Sequence, residues 1–166
     1  MKKTTFILSF FLLPFLMIAQ DSLNELLDQY NNESIPYISV TELSVIQDKV
    51  ILLDAREIQE YQVSHLKGAI YVGYEHFDIN IPSIKNLNKE AKIVVYCSLG
   101  VRSEDISEKL KKAGYKDVHN LYGGIFEWKN KNYQVINTKG ESTDNVHAFS
   151  PQWSKWLLNG TKVYTQ

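Results

Sequence analysis

Cys97, the only cysteine of the chain, ends an apolar run in the stretch KIVVYCSLGVRSEDISEKLKKAG. It is followed by a short loop, Ser98, Leu99, Gly100, Val101 and Arg102, and then by a charged helical pattern. A thiol becomes a nucleophile by becoming a thiolate, which requires nearby positive charge or the amides of a helix N-terminus. A loop that turns straight into a helix can aim several backbone N–H groups at one point. Gly100 permits angles that a side chain would forbid, and Arg102 brings a fixed charge and a planar fork suited to an oxyanion. Such a ring of amides suits a negatively charged sulfur, whether thiolate or persulfide. The competing reading is a small buried hydrophobe, because free cysteine is among the most buried residue types. Strand-end position, glycine and arginine together favour the poised thiol.

The surrounding pattern must hold that thiol in place. KVILLDA is a near-continuous apolar run of strand length, the kind that a parallel sheet buries on both faces. YISV, GAIYVGY, KIVVYC and DVHNLY read as further strands. Between them, TELSVIQ reads as a helix with Thr41 at its N-cap, and SEDISEKLKKAG as one capped by Ser103 and stopped by Gly114. GGIFEWKNK follows as a Gly-Gly turn into a short helix. Strands alternating with helices from 37 to 130 indicate an α/β fold. The expectation is a doubly wound, mainly parallel five-stranded sheet with helices on both faces. Sites in such sheets gather at the carboxyl ends of the strands, where Cys97 and Asp54 both fall.

Outside that region, Leu23, Leu26, Leu27 and Tyr30 lie at helical spacing, and Pro36 ends that helix. NTKGESTDN reads as a polar loop. SPQWSKWLLNG suggests a helix with Ser150 as cap, Pro151 at the first position, and Trp153, Trp156 and Leu157 on one face. Two tryptophans on one face predict that this tail packs onto the domain. The chain therefore divides into a leader at 1–19, a helical segment at 20–36, a central domain at 37–132 and an extension at 133–166.

The first twenty residues, MKKTTFILSFFLLPFLMIAQ, place Lys2 and Lys3 before an apolar run interrupted by Pro14. This has the form of an export signal cut after Ala19; the run is short for a membrane span. The expected location is thus the periplasm or the exterior, with no membrane attachment after cleavage. A formal net charge of −1, with 44% hydrophobic and 22% charged residues, describes an ordinary globular protein. It gives no electrostatic reason to expect nucleic acid as a partner. His65, His76, His119 and His147 lack zinc-site spacing, so no metal site is expected. Asp54 and Glu60 could be read as an acid–base pair, but an arginine between them favours ion-paired structural roles.

Two separated motifs carry a resemblance to the rhodanese (sulfurtransferase) family. YCSLGVRS followed by AGYKDVHNLYGGIFEW resembles its active-site loop and closing segment. VILLDAREIQEYQVSHLKGAIYV resembles its first signature. The resemblance implies that Cys97 accepts a sulfane sulfur from a small donor, becomes a persulfide, and passes the sulfur to a thiol or cyanide-like acceptor. No metal or organic cofactor is implied, and a protein thiol is a further conceivable partner. Ser98 through Arg102 match the loop that cradles the persulfide and binds substrate, with Arg102 binding an anionic donor or fixing the loop. Asp54, Arg56 and Ser103 are expected in supporting positions, and Gly123, Gly124 and Trp128 in the closing turn.

Two positions depart from the family pattern. Ser98 stands where many members carry a second arginine, and one fixed charge fewer should weaken attraction for a dianion such as thiosulfate. Ser64 replaces the glycine before His65. Cys97 to Arg102 spans six positions, the length the resemblance associates with sulfur donors; relatives acting on phosphate or arsenate have a longer loop. A phosphatase or arsenate reductase, and a non-catalytic binding module on the same fold, are the rival readings.

Overall fold

The computed structural model describes residues 22–164. The proposed leader and its cleavage point lie outside the described residues. Helix α1 (Leu23–Tyr30) comes first, then strand β1 (Tyr37–Ile38), helix α2 (Val40–Ile46), strand β2 (Ile51–Asp54) and helix α3 (Ile58–Val63). Strand β3 (Ile70–Tyr71), helix α4 (Pro82–Lys85), strand β4 (Lys92–Tyr96), helix α5 (Arg102–Lys112), strand β5 (Asp117–Leu121) and helix α6 (Gly124–Asn130) follow. The strands form one parallel five-stranded sheet in the order β1-β5-β4-β2-β3.

The apolar runs are explained by burial on both faces. In β4, Val94 and Tyr96 enter one core with Leu43 of α2 and Ile125, Phe126 and Trp128 of α6. Ile93 and Val95 enter the other with Ile84 of α4 and Ile106 and Leu110 of α5. Alternate side chains of one strand thus feed opposite cores, and the fold is the doubly wound α/β arrangement expected from the sequence.

Caps set two helix starts differently from expectation. Helix α2 begins at Ser39, not Thr41: Ser39 Oγ accepts from the Glu42 amide at 3.2 Å, and Glu42 Oε2 accepts from the Ser39 amide at 2.9 Å. That reciprocal Ser-x-x-Glu box satisfies two otherwise orphaned donors, which Thr41 has no partner residue to do. Helix α5 begins at Arg102 with Val101 as its cap, so Ser103 lies inside the first turn rather than before it. Its hydroxyl is used on the site instead.

The region after α6 is more ordered than its composition suggests. The stretch read as a polar loop contains strand β7 (Ser142–Thr143), antiparallel to β6 (Val135–Ile136). Asn137 Oδ1 accepts from the amides of Lys139 and Glu141 and closes that hairpin. Strand β8 (Asn145–His147) pairs in parallel with β9 (Thr161–Val163). The helix expected at Ser150 is only turns and a 3-10 turn, Ser154–Trp156. Asn130 explains the stop: its side chain binds the Trp156 carbonyl and the Leu158 and Asn159 amides, competing with helical bonds. Val146, Ala148 and Leu157 enter the α6-side core, so this extension does pack on the sheet domain.

At the carboxyl end of β2, Asp54 and Arg56 form a fully buried ion pair with Nη2···Oδ2 at 2.7 Å. Tyr96 Oη donates to Asp54 Oδ2 at 2.7 Å, and Arg56 Nη2 donates to the Ser64 carbonyl at 2.6 Å. Burial works against the Arg56 charge, but the Asp54 carboxylate holds the guanidinium protonated above its ordinary value. Asp54→Ala would leave that charge buried and unpaired. It is expected to lower unfolding free energy by about 3–5 kcal/mol, read from the urea midpoint; a loss near zero would contradict this role.

Candidate active site

Strand β4 ends at Tyr96, and Cys97 is the first residue of the loop beyond it. The loop's outer side is fixed by helix α6: the Ile125 and Phe126 amides donate to the carbonyls of Cys97 (2.9 Å) and Ser98 (3.1 Å). This close approach requires Gly124, since a Cβ there would stand 2.3 Å from the Cys97 carbonyl oxygen, at a φ of +54°. The inner side turns at Gly100, whose φ of +117° swings its N–H back to Cys97 Sγ at 3.1 Å. Its carbonyl is gripped by Asn120 Nδ2 of β5 (2.7 Å) and Asn31 Nδ2 after α1 (2.9 Å). Ser103 Oγ donates to Asn120 Oδ1 at 2.7 Å and lies 3.5 Å from Sγ.

Burial alone would push the Cys97 thiol up, for it is only 2% exposed. The Arg102 charge, the Ser103 hydroxyl and the amides of Gly100 and Ser103 outweigh that and bring it below the ordinary thiol range. Arg102 itself is not free. Its two terminal nitrogens meet Glu60 Oε2 and Oε1 at 2.7 and 2.9 Å, a bidentate pair. Burial would raise the Glu60 carboxyl, yet its bonds to Arg102 hold it below its usual range. Ser98 Oγ completes the cluster, donating to Glu60 Oε1 at 3.0 Å and accepting from Arg102 Nη2 at 3.1 Å. The guanidinium also lies over the Phe149 ring at 4.7 Å.

Above the sulfur is a pocket of about 160 Å³ lined by Cys97, Leu99, Arg102, Tyr30, Phe149 and Trp153, among others. Its floor is the loop, and its rim comes from α1 and from the segment after β8. Nucleophile, amide donor and an open approach thus share one point, an arrangement able to carry covalent chemistry on sulfur.

The rhodanese-like domain family matches residues 39–131 of the chain. The chain belongs to that family. Among curated relatives, it is 41% identical over 91 residues to a tRNA uridine(34) hydroxylase of Aster yellows witches'-broom phytoplasma, covering 52% of this chain and 29% of that protein. It is 35% identical over 114 residues to the tRNA uridine(34) hydroxylase of Listeria welshimeri, covering 65% and 34%. The chain therefore spans about a third of the length of these relatives. Among solved structures, a rhodanese-related protein of Thermoplasma volcanium superposes with a TM-score of 0.54 at 25% identity, over 61% of this chain and 97% of that one. A thiosulfate sulfurtransferase of Pseudomonas aeruginosa shares the fold, with a TM-score of 0.56 at 23% identity over 74% and 23%.

Ser98, Gly100, Arg102 and Ser103 gather around Cys97, each with partners of its own. Gly100 serves the sulfur directly, whereas Ser98 and Arg102 are engaged with Glu60, so Arg102's first task is to fix the loop. Leu99 and Val101 line the pocket. Asp54 and Arg56 reach the loop only through Tyr96, the residue before Cys97. His65 stacks on Tyr61 and contacts its carbonyl, a structural position. Glu60 has the ion-paired role expected of it, with Arg102 as its partner; sequence reasoning missed Asn31 and Asn120 as holders of the loop, and Tyr30, Phe149 and Trp153 as its surroundings. Neither the asparagines nor the partner of Glu60 had a local signal in the sequence.

The causes of the lowered thiol give a measurable order. Alkylation of Cys97 by iodoacetamide, followed against pH, should have its midpoint below that of an ordinary thiol. Arg102→Met should move the midpoint upward, because it removes the attraction and leaves Glu60 uncompensated. Ser103→Ala should move it upward less. A midpoint unchanged in Arg102→Met would remove that charge from the account.

Proposed function

We propose that the chain is a sulfurtransferase working through a Cys97 persulfide. The Cys97 thiolate attacks the sulfane sulfur of a donor, the donor's S–S bond breaks, and its electron pair leaves with the departing group. An acceptor thiolate or cyanide then takes the outer sulfur and returns Cys97 as thiolate. No net oxidant or reductant is needed. The observation that carries this reading is the Cys97 sulfur at the floor of an open pocket, with the Gly100 amide 3.1 Å from it and Arg102 at the end of the same loop.

Incubating the protein with thiosulfate or polysulfide should add the mass of one sulfur atom to Cys97, and cyanide should remove it. Cys97→Ser should do neither. If no donor adds sulfur, the reading fails; aryl phosphate hydrolysis dependent on Cys97 would replace it with phosphoryl chemistry. We propose further that residues 1–19 direct export, supported by Lys2, Lys3 and the short apolar run after them. The recovered N-terminus should then begin after Ala19 in an exported fraction. An intact leader on cytoplasmic protein would refute it.

A further inference from the structure

The pocket over Cys97 has an unusual wall for a site that would receive an inorganic dianion. Tyr30 of α1 and Phe149 and Trp153 of the extension form its rim, and all three lie outside the family match at 39–131. They are arranged on one another: Tyr30 and Trp153 rings at 5.6 Å, Phe149 and Trp153 edge-to-face at 6.4 Å. Phe149 sits at a φ of +63°, a region a bulky residue rarely takes, with its amide donating to His147 Nδ1 at 3.2 Å. That backbone presents the ring to the guanidinium of Arg102.

Charge near the sulfur is scarce. The chain has two arginines, and both are closed by carboxylates, Arg56 by Asp54 and Arg102 by Glu60. Ser98 hydrogen-bonds into the second pair and adds no charge. A dianion entering here meets an apolar wall and a cation already committed to Glu60. Size points the same way. At about 160 Å³ the pocket has room for one ring, as does the roughly 150 Å³ apolar cavity that accepts one benzene molecule.

From these contacts we infer that the rim formed by Tyr30, Phe149 and Trp153 is a specificity site, selecting sulfane donors that carry one aromatic ring. This rests on the sulfur-transfer reading above and names its donor class. With an organic thiosulfonate, the Cys97 thiolate attacks the terminal sulfur and the S–S bond breaks. The electron pair leaves on the sulfinate, and Cys97 holds the persulfide anion. Total charge is unchanged, and no further reactant enters.

Benzenethiosulfonate and methanethiosulfonate carry the same charge and differ in the group that would meet the rim. Each donor's kcat/KM, with cyanide as acceptor, is divided by its rate with a free thiol in solution. Wild type should favour the phenyl donor by at least about tenfold, the size of one ring's burial. Trp153→Ala and the more exposed Tyr30→Ala should each reduce that ratio severalfold, mainly through KM of the phenyl donor, while Trp153→Phe should retain most of it. Circular dichroism melts identify a variant that fails to fold, and Tyr30→Ala, half-exposed, then decides alone. A normalised ratio near one in wild type, or one unmoved by Tyr30→Ala, overturns the inference while sulfur transfer stands. Absence of any persulfide with either thiosulfonate overturns the inference; absence with thiosulfate and polysulfide as well overturns both.

Discussion

Favouring a negative sulfur on a residue only 2% exposed is the constraint around which this site is built. Water would stabilise a thiolate without assistance; at Cys97 fixed dipoles and one cation must take its place. A lone buried arginine would be the strongest such help, yet it would carry its own desolvation penalty. Glu60 resolves this by pairing with Arg102, and in doing so it reduces the field that reaches the sulfur. The remainder must come from backbone amides, which act only when held at the right angle. That is why Gly100 is gripped at its carbonyl by two asparagines, and why α6 fastens the loop's outer side.

The use of arginine reflects the same economy. All other cations are lysines, and several make exposed contacts such as Lys116 with Glu90, of the kind worth little in water. Arg56 is buried and Arg102 half-buried, and in each place a planar, always-charged fork can meet a carboxylate and further acceptors at once. One pair fixes the end of β2 and the other the start of α5. These two points flank the strand that carries Cys97.

The sheet and the reactive residue were legible in the sequence because each depends on neighbours in the chain. KVILLDA and KIVVYC announce two-sided burial by composition alone, and Cys97, Gly100 and Arg102 fall within six positions. Contacts across long separations were not legible. Asn31 meets Gly100 from 69 residues away, and Glu60 meets Arg102 from 42. Ser39 and Ser103 show a subtler gap. A serine near a helix start looks the same whether it caps or not, and only the partner, Glu42 in one case and Asn120 in the other, separates the roles. The extension was misjudged for a related reason: its helical spacing was real, but Asn130 offered its backbone better partners.

The sheet's outermost strands, β1 and β3, contain two residues each, while β4 and β5 in the middle contain five. A long exposed edge is a template on which a second chain can continue the hydrogen-bond ladder. Two-residue edges offer almost no such template, so the apolar strands can be rich in valine and isoleucine without inviting assembly in fibrils. The brevity of β1 and β3 therefore leaves so apolar a sheet little edge on which another could grow.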